Sequence, residues 1–287
     1  MLFRGSCQKA AKRLHRLQKL LYVTDSADSH HSPSGLMKFF RRSSRKVPSL
    51  VQDTFWAHHY IRHNQRRLEH LASLGLPLAR RRVLELGAGI GDHTTFFLDR
   101  DCEVCVSDGR AENVDFLRQR YHWMRVETID LEQPLTFTES FEIVYCYGLL
   151  YHLSDPVAAI SKMASLCSDL LLLETCVSPG DELAINPAPE NRMDPSQSLS
   201  GKGCRPTRPW IIHNLREYFP HAYVTMTQPC HPEFPLCWDP PPTNGLIRSV
   251  FVASRRPLSL PTLSATLLQR QRRHGNKRTT AKLFAGP

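Results

Sequence analysis

A glycine-rich segment near residue 90 offers the first sign of chemistry in the sequence. Glu85 is followed by Gly87, Gly89 and Gly91 in the run Leu-Glu-Leu-Gly-Ala-Gly-Ile-Gly. Glycines at this spacing let a backbone turn adopt positive φ angles and approach a ligand closely. The helix that follows such a turn offers unpaired N–H groups at its N-terminus. The pattern therefore predicts a nucleotide-binding turn between a strand and a helix.

A second acidic residue, Asp108, ends the next predicted strand. A carboxylate at this position can accept hydrogen bonds from ribose hydroxyls. A glycine turn followed by such an acid also fits a dinucleotide dehydrogenase, so these two features alone leave the nucleotide open. Glu85 narrows the choice, because a carboxylate beside the turn would repel a pyrophosphate. The same carboxylate could bind the ammonium group of an amino acid through water.

Over about residues 50–254 the sequence resembles the class I S-adenosylmethionine-dependent methyltransferases. That family has an E-x-G-x-G-x-G motif, a ribose-binding acid after the second strand, an adenine-bordering segment after the third and a loop beneath the methionine part after the fourth. The resemblance implies S-adenosylmethionine as cofactor and assigns its contacts to the matching residues, Glu85, Gly87, Gly89, Gly91, Asp108, Ile129, Asp130, Leu131, Cys146, Tyr147 and Gly148. His93, in the first turn of the following helix, is expected to line the same cleft.

The acceptor of the methyl group is less constrained by the sequence. The stretch 147–156 resembles an LxHL-x-D-P segment found in small-molecule and wobble-uridine branches of the family. His152 and His231 are candidate general bases, because the pKa of an imidazole lies near neutrality. No Asn-Pro-Pro-Tyr or Asp-Pro-Pro-Tyr element follows the fourth strand, which disfavours methylation of base amino groups.

The favoured reaction is therefore O-methylation of a small molecule or sugar. Two alternatives stay open. One is an RNA methyltransferase that holds the phosphate backbone with basic ends. The other is a scaffold that binds the cofactor without catalysis. No metal site is predicted, since the sequence contains no zinc-ligand set of suitable spacing.

Strands that alternate with helices must position these residues. The pattern predicts an α/β fold with a mostly parallel sheet and helices on both faces. The resemblance implies a Rossmann-like, seven-stranded sheet whose antiparallel last strand lies between the fifth and sixth. Ligands of such sheets bind outside the carboxyl ends of the strands. The predicted strands are 83–86, 103–107, 125–129, 141–147, 170–174, 222–227 and 247–253.

Two long insertions rich in proline, residues 176–209 and 229–244, are predicted to leave this edge of the sheet. Loops of this length in a compact domain are usually functional or disordered. We expect both to form a lid over the substrate, with ordinary surface decoration as the alternative. The lid residues proposed from the sequence are Asn191, Arg192, Arg205, His231, Phe234 and Trp238.

The charge of the chain is concentrated at its ends. The 287 residues carry a formal net charge of +10, but residues 1–50 contribute +9 and residues 255–287 contribute +8, so residues 51–254 carry −7. The sequence predicts a basic extension and linker over 1–50, a methyltransferase domain over 51–254 and a disordered tail over 255–287. Either basic end could contact RNA or an anionic membrane.

Residues 1–23 form a basic amphipathic pattern with three readings: a helix packed on the body, a segment that binds an acidic surface, or an organellar presequence. No apolar run reaches the roughly 18–20 residues of a membrane span. The nine cysteines follow no disulfide framework, which favours a reducing compartment. The sequence thus predicts a cytoplasmic protein, or an organellar one if the presequence reading holds.

Overall fold

The computed structural model describes residues 51–135, 138–240 and 245–275. The predictions for residues 1–50 and 276–287 lie outside this range. The strands, in chain order, are β1 (Arg82–Glu85), β2 (Glu103–Asp108), β3 (Arg125–Thr128), β4 (Phe141–Tyr147), β5 (Cys167–Val177), β6 (Pro187–Pro189), β7 (Lys202–Cys204), β8 (His221–Thr225), β9 (Thr227–Gln228), β10 (Ile247–Ser254), β11 (Leu263–Ser264) and β12 (Arg272–Arg273).

Six α-helices and one short 3₁₀ helix connect these strands in the described residues. The helices are α1 (Val51–Phe55), α2 (His58–Ser73), α3 (Thr94–Leu98), α4 (Ala111–Arg120), the 3₁₀ helix (Leu150–His152), α5 (Pro156–Ser165) and α6 (Arg208–Tyr218). Two of them begin as the sequence favours. Asp155 caps α5 by accepting a hydrogen bond from the Ala158 N–H at 2.9 Å, and Thr207 caps α6 in the same way. Such caps satisfy N–H groups that have no partner within the helix.

Eight strands form one sheet in the order β11-β8-β10-β5-β4-β1-β2-β3. The five neighbouring strands β5-β4-β1-β2-β3 are all parallel. The prediction of an antiparallel strand between the fifth and sixth is confirmed, because β10 pairs antiparallel with both β5 and β8. The sheet has one strand more than the predicted seven, since the two-residue strand β11 pairs with β8 at the edge.

Helices cover both faces of the sheet, as predicted. Leu71 of α2 and Phe97 of α3 belong to the apolar core on one face, and Met163 of α5 and Leu215 of α6 belong to the core on the other. Strand side chains alternate between these two cores because successive residues of a strand point to opposite faces. In the described residues no helix is long and apolar enough to cross a membrane.

The expectation that the domain ends at residue 254 and that a disordered tail follows is wrong for residues 255–275. This segment adds β11 to the main sheet and pairs β12 with β9. Buried Gln271 donates a hydrogen bond to the Thr225 carbonyl at 2.5 Å and accepts one from Trp238 Nε1 at 2.8 Å. The composition is misleading because these polar side chains find partners on the body, which the sequence alone does not reveal.

Candidate active site

A cleft that is partly open to solvent lies at the carboxyl ends of β1, β2 and β4. It is where the parallel sheet was expected to bind a ligand. The residues lining it that the sequence singled out are Glu85, Gly87, Gly89, His93, Asp108, Ile129, Asp130, Leu131, Tyr147, Gly148 and His152. Eleven side chains or backbone segments far apart in the chain are thus brought to one cleft.

The glycine turn has the backbone conformation that its sequence predicts. The φ angles of Gly87, Gly89 and Gly91 are 64°, 58° and 78°, a region that only glycine enters readily. A Cβ atom added to Gly89 would lie 2.7 Å from the ring of Phe55 in α1. A Cβ on Gly91, which does not itself line the cleft, would lie 2.5 Å from the Tyr121 ring. Close packing by the protein therefore also requires these glycines.

Asp108 ends β2 with its carboxylate held in place by three hydrogen bonds. One oxygen accepts from the Gly89 N–H at 2.8 Å, and the other accepts from the Arg110 N–H at 2.9 Å and from Asn113 Nδ2 at 3.1 Å. Burial raises the pKa of Asp108, and these hydrogen bonds oppose that rise. The Asn113 Oδ1 atom is buried without a partner among the described residues. It could therefore accept a hydrogen bond from a ligand.

Glu85 lies at the end of β1 and is only 2% exposed. It accepts a hydrogen bond from Thr94 Oγ1 at 2.7 Å. Burial raises the pKa of Glu85 to about 7. A nearby cation would favour the ionised form of this carboxyl group.

His93 and two tyrosines of β4 form a polar patch on the cleft wall. His93 Nδ1 and the Tyr145 hydroxyl lie 2.8 Å apart, and the Tyr145 and Tyr147 rings are stacked at 4.4 Å. Burial lowers the pKa of His93 to about 3, so its imidazole is neutral. His93 Nε2 and the Tyr147 hydroxyl are both buried without partners in the described part of the chain. A bound ligand would satisfy them.

The prediction that Cys146 contacts the cofactor is wrong for its side chain. Cys146 is fully buried in the core on the opposite face from Tyr145 and Tyr147. The physical reason is strand alternation, which turns residue 146 away when residues 145 and 147 face the cleft. Burial raises the pKa of its thiol to about 12, so it is not a reactive thiolate.

His152 is the one candidate base that the structure places in the cleft. Its Nδ1 makes a very short contact with Glu190 of the first insertion, and Arg205 NH2 binds the other oxygen of Glu190 at 3.1 Å. Because a carboxylate only accepts hydrogen bonds, Nδ1 carries the proton and Nε2 keeps its lone pair. Burial lowers the pKa of His152, although Glu190 opposes this shift. The imidazole is therefore neutral at pH 7.

His231, the other candidate base, lies outside the cleft. Its ring stacks on that of His63 from α2, with 4.5 Å between the ring centroids. Phe234 and Trp238 are buried in the cores at 0% and 8% exposure. The prediction that residues 229–244 contribute to a substrate lid is thus wrong for these three residues. They pack on α2 and on the segment 255–275, which the sequence did not predict to be ordered.

The first insertion does reach the cleft, but through residues other than those proposed. Pro195 to Leu199 line it, whereas Asn191 and Arg192 are exposed outside it, and Arg205 supports Glu190 from behind. Arg110 NH2 donates to the Gln197 carbonyl at 3.1 Å and holds this loop over the cleft. Proline and serine composition does not distinguish these positions from their neighbours.

Tyr60, Asn64 and Arg67 of α2 also line the cleft and were not predicted. Their spacing puts all three on one helical face. Arg67 is paired with buried Glu174 at 2.6 Å and lies against Gly148. The sequence does contain a signal for these residues. They lie on the same helical face as the core residue Leu71, so the polar positions on that face indicate a site.

Comparisons with known proteins agree with this geometry. A family model described as a methyltransferase domain matches residues 83–169. The N-terminal domain of EvdMO1, solved with SAH bound, superposes with a TM-score of 0.50 at 20% identity over 68% of this chain and 80% of that one. The same domain in the presence of SAH and D-fucose gives 0.51 at 17% identity, over 86% and 97%. These likenesses concern the fold.

Curated relatives are named tRNA U34 carboxymethyltransferase. The protein from Dichelobacter nodosus (strain VCS1703A) is 28% identical over 40% of this chain and 39% of its own length. That from Vibrio vulnificus (strain YJ016) is 28% identical over 51% and 46%. The chain thus spans less than half the length of these relatives. The family match shows a methyltransferase domain over residues 83–169, and the likeness to the SAH-bound domain shows that the fold extends beyond the matched residues.

Proposed function

We propose that this protein transfers the methyl group of S-adenosylmethionine to a hydroxyl oxygen of a small molecule or sugar, with His152 as general base. The observation that carries the proposal is the pairing of His152 with Glu190 at the wall of the cleft. Methyl transfer from a sulfonium needs little covalent help, but a hydroxyl acceptor must lose its proton. A neutral imidazole held by a carboxylate is suited to take it.

We assign a partner in the cleft to each part of the cofactor. Asp108 would accept hydrogen bonds from the ribose hydroxyls, and Ile129 and Leu131 would border the adenine. Glu85 would face the ammonium group, and Arg67 would face the carboxylate. Three buried polar atoms without partners among the described residues would make further hydrogen bonds with the cofactor: Asn113 Oδ1, His93 Nε2 and the Tyr147 hydroxyl. When bound, the cofactor supplies an activated methyl group on a sulfonium.

His152 acts in this scheme through Nε2, the nitrogen that Glu190 leaves free. The acceptor hydroxyl would give its proton to Nε2 as its oxygen took the methyl group, whose bond to the sulfonium sulfur would break and leave a neutral thioether. The Glu190 carboxylate would stabilise the imidazolium that formed. Glu190 is ionised, because its contacts with His152 and Arg205 keep its pKa low in spite of burial. Residues 195–199 line the same cleft as His152, and we infer that they help to enclose a small acceptor.

An RNA acceptor is the second candidate, and the names of the curated relatives favour it. The two candidates differ in what the tritiated methyl group labels. We expect full-length protein and labelled S-adenosylmethionine to label a pooled metabolite or glycan fraction, at an alkali-stable methyl ether. Label in tRNA instead would establish the second candidate and reject the first.

Cofactor placement has its own test. Asp108→Ala should weaken S-adenosylmethionine binding tenfold or more in calorimetry, about 1.4 kcal/mol. The matched control is Asp115→Ala, whose side chain on α4 is 69% exposed. Equal affinity in the two variants would show that the ribose is held elsewhere.

A further inference from the structure

The aromatic ring of Tyr151 lies against the imidazole of His152, the next residue of the 3₁₀ helix. The two ring centroids are 3.9 Å apart, and the ring planes are tilted by 41°. Tyr151 is buried and does not line the cleft, whereas His152 does. The tyrosine ring therefore contacts the imidazole from within the protein and leaves the cleft side of the imidazole open.

Two arginines hold the Tyr151 ring in turn. Arg248 of β10 donates from Nη2 to the Tyr151 hydroxyl at 3.1 Å, and its guanidinium carbon lies 4.8 Å from the centre of the ring. Arg205 of the first insertion lies 5.0 Å from the same ring and donates to the Tyr151 carbonyl at 3.0 Å. Because guanidinium groups pack favourably on aromatic faces, these contacts restrict the rotation of the ring.

Two carboxylates fix the Arg248 guanidinium. Its Nη1 donates to Glu174 at 3.3 Å, and its Nε donates to Glu233 at 2.6 Å. Glu174 is fully buried on β5 and also pairs with Arg67 at 2.6 Å. Hydrogen bonds between ions of opposite charge are strong and directional. All three nitrogen atoms of this guanidinium thus have partners, and the central strands β5 and β10 determine where it lies.

His152 needs support beyond its contact with Glu190. Its 3₁₀ helix is only three residues long, and Glu190 belongs to a long insertion. A general base must lie within hydrogen-bond reach of the proton that it takes, and a displacement of about 1 Å can lower a rate by about 10². Tyr151 and Arg248 provide a second support for the imidazole, one that depends on the sheet rather than on the docking of the insertion.

We propose that Tyr151 and Arg248 are positioning residues for His152: the Tyr151 ring supports the imidazole, and Arg248 holds that ring in place. This inference rests on the proposed role of His152 as general base. Neither positioning residue lines the cleft, so neither contacts cofactor or acceptor in this scheme. Their replacement should therefore lower kcat and leave KM and cofactor affinity unchanged.

Two substitutions separate the ring of Tyr151 from its hydroxyl. Tyr151→Leu should lower kcat about tenfold, measured with the acceptor fraction that the wild type labels, because the imidazole loses its support. Tyr151→Phe keeps the ring and its contacts with both guanidiniums, and should restore kcat to within about twofold of the wild type. The matched control is Tyr223→Leu, which removes an equally buried ring from β8 and should leave kcat unchanged.

Arg248→Lys tests the second residue and keeps a positive charge beside Glu174. An ammonium group cannot reproduce the three contacts of the planar guanidinium, so kcat should fall about threefold. Calorimetry should give the wild-type affinity for S-adenosylmethionine. This variant also decides the question if Tyr151→Leu does not fold, since an unchanged kcat in Arg248→Lys would overturn the proposal.

Nuclear magnetic resonance gives a readout that needs no acceptor. The carbon-bound imidazole protons of His152, assigned by their loss in His152→Ala, should show the ring-current shift of Tyr151 in the wild type and in Tyr151→Phe. Tyr151→Leu should abolish that shift, and Arg248→Lys should reduce it. A wild-type kcat in Tyr151→Leu, an equal loss of kcat in Tyr223→Leu, or an unchanged His152 signal in Arg248→Lys would overturn the proposal.

The two proposals fail in different ways. Full turnover in His152→Ala would reject the general base, while the resonance data would still decide whether Tyr151 and Arg248 fix the imidazole. Conversely, loss of turnover in His152→Ala together with wild-type kcat in Tyr151→Leu would reject the positioning role and leave the proposed function intact.

Discussion

The two insertions of the domain look alike in sequence but serve different parts of the molecule. Both are rich in proline, and both leave the same edge of the sheet. The first follows β5, next to β4, and its loop 195–199 and Glu190 reach the cleft. The second follows β9 and carries Phe234 and Trp238 into the cores. Among the described residues of the two insertions, only those of the first line the cleft.

Strand order explains this difference. β8 is three positions away from β4 in the sheet, a distance of about 14 Å at 4.7–4.9 Å between neighbouring strands. A loop that starts beyond β8 therefore begins on the far side of the domain from the glycine turn. It lies close to α2 and to the segment 255–275, and it buries its apolar residues there.

The largest effect is expected on kcat, when the two histidines first proposed as bases are replaced one at a time. His152→Ala should lower kcat by about 10²–10⁴, the usual contribution of a general base, with little change in cofactor affinity. His231→Ala is the control and should keep nearly full activity in the same steady-state assay, because its side chain lies outside the cleft. Equal loss in both variants would mean that the second insertion also serves catalysis.

A stability measurement sharpens the same comparison from the other side. Trp238→Ala should lower the free energy of unfolding by about 3–5 kcal/mol, because the side chain is 8% exposed, lies 3.9 Å from the Arg208 guanidinium and donates to Gln271. Trp123→Ala, at a position 64% exposed, should change it by less than about 0.5 kcal/mol. If Trp238→Ala instead left unfolding in urea unchanged and raised the acceptor KM, the second insertion would be a lid.

The substitution Glu190→Gln removes the charge of the carboxylate in the first insertion while nearly keeping the shape of the side chain. Glu190→Gln should lower kcat at least tenfold, since a hydrogen bond to a charged group contributes about 1.5–3 kcal/mol. Cofactor affinity measured by calorimetry should not change. Wild-type kcat in this variant would separate Glu190 from catalysis and leave it a structural role in the loop.

The pH profile tests the same pair. Activity requires neutral His152, so kcat/KM should fall as the pH decreases through its pKa, which burial lowers relative to a free imidazole. Glu190 raises that pKa, so Glu190→Gln should move the acid limb to still lower pH. A shift to higher pH, or no acid limb in the wild type, would contradict the assignment of the base.

The smallest effect is expected at the loop itself. Leu199 is half-buried and its Cδ1 would lie 2.9 Å from a Cβ on Gly109. Leu199→Ala should raise the KM of cofactor or acceptor about fivefold, for about 1 kcal/mol of lost apolar contact. Leu183→Ala, in the same insertion but 58% exposed, is the control. Identical kinetics in the two variants would show that the loop contributes no binding energy.

The sequence by itself determined the parts whose physics is local. Strand and helix periodicity predicted the seven main strands, the family resemblance predicted the antiparallel position of β10, and Gly87, Gly89 and Asp108 were predicted to lie in the cleft that they line. These succeed because positive φ angles, helix caps and strand alternation depend on neighbouring residues. The same alternation, applied to β4, would have placed Cys146 in the core.

Tertiary structure alone decided which distant residues share a site. Glu190 meets His152 because a loop docks on Arg110, and Arg67 enters the cleft because α2 packs beside β5. His231 is drawn away to His63 for the same kind of reason. These choices depend on strand order and on the burial of Phe234 and Trp238, energies that arise only once the whole domain has packed.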